Sequence, residues 1–516
     1  MRARTKAAAF GATLLAALWT VSCDRAAPGK MGRALIPVDG SPLVSLRILV
    51  RVGSAHDPSG KEGLALLTWN LLARGASRSM SVADIDEKLF PLDAELALSV
   101  DKEMAVFSGT VRREDLDRFY AVVRDRLLDP AFREDDFARL KTEQLAALDA
   151  VRSGEGDARL ADGILDLMLY EGRPYGHPEA GTVSSVKGLT LDDVRAFYAM
   201  YFVQGDIVLG LAGGYPADFP DTVAADFARL PQGFTPRLVL PTPRRPRGLE
   251  IAIADGPSAV TTIAAGFPLA VSPAGKDFFA LWVAQAHFGA AGQGFPRLAR
   301  EIGQERGLAA EAFAAIEPFA PGPGGFPEPN RARQQQAFVI RVRPVPGVAG
   351  HFVLRQALRA LRTLVEDGLS EDQFRLARDY LLAAMKLRGQ TLGGRLAERL
   401  DAEFYGTEDL PAAAAAALPR LTREDVNRAM RKYLTSADIA VAVVAPDAEA
   451  FKSALAADAP SPLKYANPAM PRDVLDEDAI IQSYPLAAVP DGIGVAPAAE
   501  FFRTAGLPWK QGGIGK

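Results

Sequence analysis

One pattern is written twice in this chain of 516 residues. Asp57-Pro-Ser-Gly-Lys61 returns as Ser272-Pro-Ala-Gly-Lys276, each time ahead of an apolar helical stretch. Glu134-Asp-Asp-Phe137 with Leu145-Ala-Ala147 returns as Glu371-Asp-Gln-Phe374 with Leu382-Ala-Ala384. Leu189-Thr-x-x-Asp-Val194, then Tyr201 and Asp206-Ile207, returns as Leu421-Thr-x-x-Asp-Val426, then Tyr433 and Asp438-Ile439. The offsets are 215, 237 and 232 residues, in constant order. Three matches in order across most of both halves imply a duplicated unit.

Within one copy the periodicity is mixed. Leu43 to Val52 alternates as a strand, with Leu46, Ile48, Val50 and Val52 on one face. Asp57-Pro-Ser-Gly60 is a turn, and Lys61 to Arg74 is helical with Leu64, Leu67 and Leu71 in one stripe and Gly75 as C-cap. Met104 to Val111 predicts a strand, and 114–128 and 134–152 predict helices. Thr190 with Asp193 reads as a capping box, followed by a buried-type strand from Asp206 to Gly213. The fold class expected is α+β, with two tandem homologous domains, each an antiparallel-rich sheet covered by helices. The domains are predicted at 35–230 and 249–458. A linker at 231–248 holds five prolines and the arginines Arg244, Arg245 and Arg247, read as a solvated face. Residues 459–516 form a Pro-rich tail expected to dock, extended, on the body.

The N-terminus carries a separate message. Arg2, Arg4 and Lys6 precede an apolar run from Ala7 to Val21, which predicts a signal peptide at 1–22. Thr20-Val-Ser-Cys23 is similar to a bacterial lipobox, with Thr20 where Leu is usual. Cys23 is the chain's one cysteine, and its place at the cleavage junction makes it the expected lipidation site. Residues 23–34 would then be the lipid-anchor cysteine and a tether. The expected location is the periplasm or cell envelope, held to a membrane by the lipid.

Composition narrows the chemistry. One cysteine excludes a disulfide framework and a thiolate cluster. A net charge of -4 gives no reason to expect nucleic acid. The four histidines, His56, His177, His287 and His351, include no pair spaced i, i+4. His56 reads as exposed, His177 as packing a loop, and His287 as a satisfied core residue. Asp135-Asp136 and Asp192-Asp193 fall where helices begin, which favours cap and dipole roles over a catalytic dyad.

Gly53, Gly63-Leu-Ala65, Tyr175-Gly-His-Pro178 with Gly181-Thr182, Phe288-Gly289, Arg297-Leu298 and Glu305-Arg-Gly-Leu-Ala309, set in a duplicated α+β chain, resemble the pitrilysin/insulinase family of zinc metallopeptidases over about residues 35–450. The resemblance implies a half-clam of two domains. It also implies an inverted zinc motif, H-x-x-E-H, directly after Gly-Leu-Ala, in which two imidazoles one turn apart hold the metal and a carboxylate serves as base. Here Leu66 and Asn70 stand at the two histidines and Trp69 at the glutamate. The third ligand, a glutamate in the family, falls at Ala146 or Ala147, with Glu143 one turn away. The Arg and Tyr that hold the substrate carbonyl fall at Gly303 and Ala310, while Arg300 and Arg306 lie out of register. Leu66, Trp69, Asn70 and Ala73 are expected to line the former cleft together.

The resemblance therefore implies a degenerate member, with no catalytic residues, no metal ligands and no cofactor, although active members carry zinc. The expected role is a non-catalytic subunit that encloses extended peptide beside an active zinc-bearing subunit of the same family, or by self-association. A zinc endopeptidase with displaced ligands and a lipid-anchored scaffold without peptide function remain open alternatives.

Overall fold

The computed structural model describes residues 29–153, 157–316, 329–388, 390–465, 469–488 and 492–513. Cys23 and the N-terminal segment lie outside them. The first half runs β1 (Gly32–Pro37), β2 (Leu43–Val50), α1 (Leu64–Arg74), α2 (Val82–Leu89), β3 (Ala97–Val100), β4 (Ala105–Arg112), α3 (Leu116–Leu128), α4 (Glu134–Arg152), α5 (Asp157–Tyr170), α6 (Val183–Gly188), α7 (Leu191–Tyr201), β5 (Ile207–Gly213) and α8 (Phe219–Phe227). The second runs β6 (Leu249–Asp255), β7 (Val260–Leu269), α9 (Phe278–Gly289), a π-helical turn (Ala299–Gln304), β8 (Glu311–Ala315), β9 (Gln336–Pro346), α10 (Gly350–Asp367), α11 (Glu371–Leu387), α12 (Leu392–Tyr405), α13 (Leu410–Ala417), α14 (Arg423–Tyr433), β10 (Ile439–Ala445) and α15 (Ala448–Ala456). Helix α16 (Arg472–Ile481) and strand β11 (Ile493–Pro497) follow.

The duplication is visible strand by strand. The first sheet has the order β1-β5-β2-β4-β3 and the second β11-β6-β10-β7-β9-β8. Apart from the added β11 the two orders are the same. In each, the first strand pairs parallel with the last, and the other pairs are antiparallel. The repeated Leu-Thr-x-x-Asp pattern caps matching helices. Thr190 accepts from the Asp193 N–H ahead of β5, and Thr422 from the Asp425 N–H ahead of β10, both at 3.2 Å.

Each sheet is covered on both faces, and the second cover comes from the other half. On β5, Ile207, Leu209 and Leu211 face the first half's own helices. Val208 and Ala212 face Leu396 and Leu400 of α12, which belongs to the second half. On β10, Ile439, Val441 and Val443 face the second half's own helices, whereas Ala440, Ala442 and Val444 face Leu160, Ala161, Ile164 and Leu165 of α5. Strands buried on both sides read as continuous apolar runs. The face of the second sheet that receives α5 is rich in alanine (Ala252, Ala254, Ala264, Ala440 and Ala442), which lets the helix come close.

Three expectations change here. β1 begins at Gly32, inside the stretch assigned to the tether, because its backbone pairs with β5 over Gly32 to Pro37. The tail is not merely extended. It forms α16 directly after Pro471 and adds β11 as an edge strand parallel to β6. In the linker, Arg244 is held by Glu250 and by the Met168 carbonyl, so the basic cluster is partly structural. Among the described residues no helix is long and apolar enough to cross a membrane.

Candidate functional site

Helix α1 starts at a crowded point. Gly63 has φ +97, and a Cβ there would stand 2.6 Å from the Ala180 carbonyl oxygen and 2.7 Å from Gln144 Nε2. Its partner in the contact, Gly181, has φ +80 and would meet the Glu62 carbonyl oxygen at 1.9 Å. Only glycine fits either place. The Asp57 carboxylate closes the helix start by accepting from the Gly63 and Ala65 N–H groups, each at 2.7 Å. Burial pushes this carboxyl up to about 8 despite those two donors.

Trp69 does not line a cleft. It is fully buried, and its indole N–H donates to the Val52 carbonyl at 3.2 Å. Phe107, Phe197 and Phe202 surround the ring at centroid distances of 6.3, 5.8 and 6.0 Å. Ala73 is buried beside it, while Leu66 and Asn70 remain half-buried. The face expected to line a cleft as one surface is thus divided. The side toward the sheet takes Trp69 and Ala73 into the core because a tryptophan buries more apolar area than any carboxylate could.

The other assigned positions are scattered. Ala146 and Ala147 are exposed on α4. Glu143 is held by Arg74 at 2.7 Å and Arg139 at 3.2 Å. Gly303 is half-buried in the π-helical turn, and Ala310 is exposed just before β8. Arg306 is buried and engaged by Asp478 and Glu477 of α16 at 2.8 and 2.9 Å. Among the described residues no group of three or more His, Cys, Asp or Glu converges as a metal set would. A partly open cavity of about 90 Å³ lies in the second half, between α9, α11, α12 and α13.

The histidines are quiet. His56 is half-buried rather than exposed: its Nδ1 accepts from the Gly53 N–H at 3.2 Å, its ring meets Tyr201, and burial pushes it down to about 4. His177 packs its loop through Pro178, as expected. His287 is half-buried at the surface of α9, not in the core. Asp136 accepts from the Ala76 N–H at 2.9 Å, and Asp193 completes its cap while pairing with Lys61, so both acidic pairs serve structure.

A charged seam that sequence reasoning missed joins the halves. Asp101, Lys102 and Glu103, in the turn between β3 and β4, are all buried. Arg333 binds Asp101 through two bonds of 2.7 and 2.6 Å. Glu103 accepts from the Gln334 backbone and side chain, and from the Tyr175 hydroxyl. Lys102 pairs with Glu179 at 2.9 Å and donates to the His177 carbonyl. Burial alone would raise Glu179; Lys102 and Arg333 beside it hold it below the usual range. The Tyr175 to Pro178 motif thus serves the joint between the halves.

Two family models match this chain: "Insulinase (Peptidase family M16)" over residues 34–173 and "Peptidase M16 inactive domain" over residues 188–381. The chain belongs to peptidase family M16. An M16 relative in Mycobacterium tuberculosis, described as an uncharacterized zinc protease, is 23% identical over 78% of this chain and 88% of its own. A Helicobacter pylori relative, described as a non-peptidase homolog, is 21% identical over 69% of this chain and 78% of its own. Among solved structures, the peptidase M16 inactive domain from Pseudomonas fluorescens matches with a TM-score of 0.71 at 22% identity, over 81% of this chain and 96% of that one. A protease from Helicobacter pylori matches with a TM-score of 0.68 at 13% identity, over 81% and 97%. The two-domain M16 fold is therefore shared.

Proposed function

We propose that this M16 protein is a non-catalytic subunit that encloses and binds extended peptide beside an active zinc-bearing subunit of its family. The observation that carries the reading is Trp69. The position that the resemblance gives to the general base holds an indole locked among three phenylalanines. A carboxylate base must reach a metal-bound water, and nothing at this position can. The printed description of the H. pylori relative as a non-peptidase homolog is in keeping with this. Peptide binding needs no catalytic residue. β3 ends the first sheet, is partly exposed, and offers main-chain groups to an added strand. Lipidation at Cys23 would hold the subunit at a membrane of the cell envelope.

Two measurements test this. Purified protein should carry no stoichiometric zinc and should leave unstructured peptides uncut. Zinc at one per chain with peptide cleavage would overturn the reading and favour displaced ligands. Purification from native membranes should recover a second subunit with an intact inverted zinc motif. Repeated recovery of this chain alone would favour a lipid-anchored scaffold. Labelled fatty acid should enter the wild type and not a Cys23→Ala variant.

A further inference from the structure

The first sheet ends at β1, whereas the second continues past β6, the counterpart of β1, to β11. The two edges align residue by residue. Gly32 lies opposite Val208 on β5, and Glu250 lies opposite Ala440 on β10, the position 232 residues further on. Arg33 therefore corresponds to Ile251, Ala34 to Ala252, Leu35 to Ile253 and Ile36 to Ala254. β11 runs parallel to β6, with Ile493 beside Ile251 and Val495 beside Ile253. Under that cover Ile253 is fully buried, whereas Leu35 is 40% exposed.

The backbone of β1 is placed to extend its sheet. Main-chain N–H and C=O groups alternate sides along a strand, and the Val38 N–H donates inward to the Gly213 carbonyl at 2.9 Å. Ala34 and Ile36 share that side, so Arg33, Leu35 and Pro37 turn their main-chain groups outward. An edge strand tolerates proline at an outward position, where no sheet neighbour needs its N–H. Among the described residues no hydrogen bond reaches the outward groups of Arg33 and Leu35. Two helices flank this edge as two flank β11. α15 packs on β11 and β6, and Ala496 of β11 lies on the face that receives α5. At β1 the counterpart of α15 is α8, whose Asp221 binds Arg33 at 2.8 Å. The counterpart of α5 is α12, whose Leu392 and Leu396 pack with Ala34 and Ile36.

We propose that β1 accepts a strand from a different protein, running parallel to it, with branched apolar residues at alternate positions and small residues between them. β11 shows the pattern in Ile493-Gly-Val-Ala496: Ile493 and Val495 face the second half's own helices, and Ala496 faces the crossed one. In the same arrangement at β1 the branched residues cover Leu35, and the small ones leave α12 in place. The tail of this chain is already engaged. β11 pairs with β6 from Ile493 to Pro497, and Trp509 lies so close to Gly494 that a Cβ there would stand 2.0 Å from its ring. The tail of a second copy is engaged in the same way, so the strand comes from another protein. β1 lies at the opposite end of the sheet from β3. The inference therefore stands or falls separately from peptide binding at the β3 edge.

The test is fluorescence anisotropy with the purified protein and a labelled peptide, Lys-Gly-Ile-Gly-Val-Ala-Gly-Lys, against the same peptide with lysine for isoleucine and valine. The alternating apolar probe should bind at least roughly tenfold more tightly than its lysine counterpart. Leu35→Lys puts a charge on the edge, and Arg33→Pro removes one outward donor while keeping the bonds to β5. Each should weaken the probe about tenfold or more. Bound probe should slow hydrogen exchange over residues 33–37. No binding, equal binding of the two peptides, or binding untouched by both variants overturns the proposal. Exchange slowed or quickened over 249–255 instead overturns it too, because the probe would then be displacing β11 from β6. It also falls if Leu35→Lys dissociates an oligomer of the protein in sedimentation, because a second copy would then cover the edge.

Discussion

At the scale of single residues, Trp69 shows how one side chain ties a helix to its sheet. Its ring fills space between α1, the sheet and α7, so the position belongs to the core. Restoring the inverted motif with Leu66→His, Trp69→Glu and Asn70→His should therefore not restore a metal site. The new carboxylate would sit unpaired among aromatic rings, at a cost of several kcal/mol. We expect a lower thermal midpoint and no zinc by elemental analysis; a stable variant with one zinc per chain would contradict this. His351 offers a pH test. It is buried, and burial together with Arg355 pushes it from 6.5 down to about 4. A depressed folded pKa gives stability that is complete above 6.5 and is lost as pH falls toward 4. The stability difference between wild type and His351→Gln should shrink from pH 7 to pH 5, measured by denaturant unfolding at each pH. The difference isolates this group from Asp57 and Asp401, whose burial-raised pKa values slope the other way.

At the scale of elements, the helices α5 and α12 matter most, and the sequence reading placed neither. It found β2, β4, α3, α4 and the Thr190 cap because their periods and caps are local. A period shows that a helix has an apolar face, not which sheet that face will meet. α5 follows α4 directly yet packs on the second sheet, and no short-range pattern encodes that. The same limit hid the seam: Asp101-Lys-Glu103 reads as an exposed turn until Arg333, more than two hundred residues later, is seen to bury it. In the candidate site, the resemblance at Gly63-Leu-Ala65 drew attention to Leu66, Trp69 and Asn70, which the structure places on α1. The enclosure of Trp69 was not legible, since it needs Phe107 and Phe197 from distant elements. Leu396→Ala and Leu400→Ala should each cost about 2–5 kcal/mol. The loss should appear as faster hydrogen exchange in β5, which lies in the other half. Exchange changes confined to the second half would show that α12 contributes little to the first sheet.

At the scale of the molecule, the halves are joined by the crossed helices and by the buried Arg333–Asp101 pair. Removing one partner of such a pair leaves a charge buried alone, so Arg333→Ala should cost about 3–5 kcal/mol, read from denaturant unfolding. The peptide link at 231–248 should be dispensable once folding is complete. Cleavage there by an engineered protease site should leave both fragments together in gel filtration, and separation would show that the covalent linker holds them. A matched pair of repeats, each lending one helix, α5 or α12, to the other, has the geometry of a domain-swapped homodimer whose two chains have been joined head to tail. The linker then acts by setting effective concentration: it turns a pairing that would depend on how much protein is present into one that does not. An isolated repeat would expose the apolar outer face of its sheet and the apolar face of its lent helix at once, two complementary surfaces that seek a second copy.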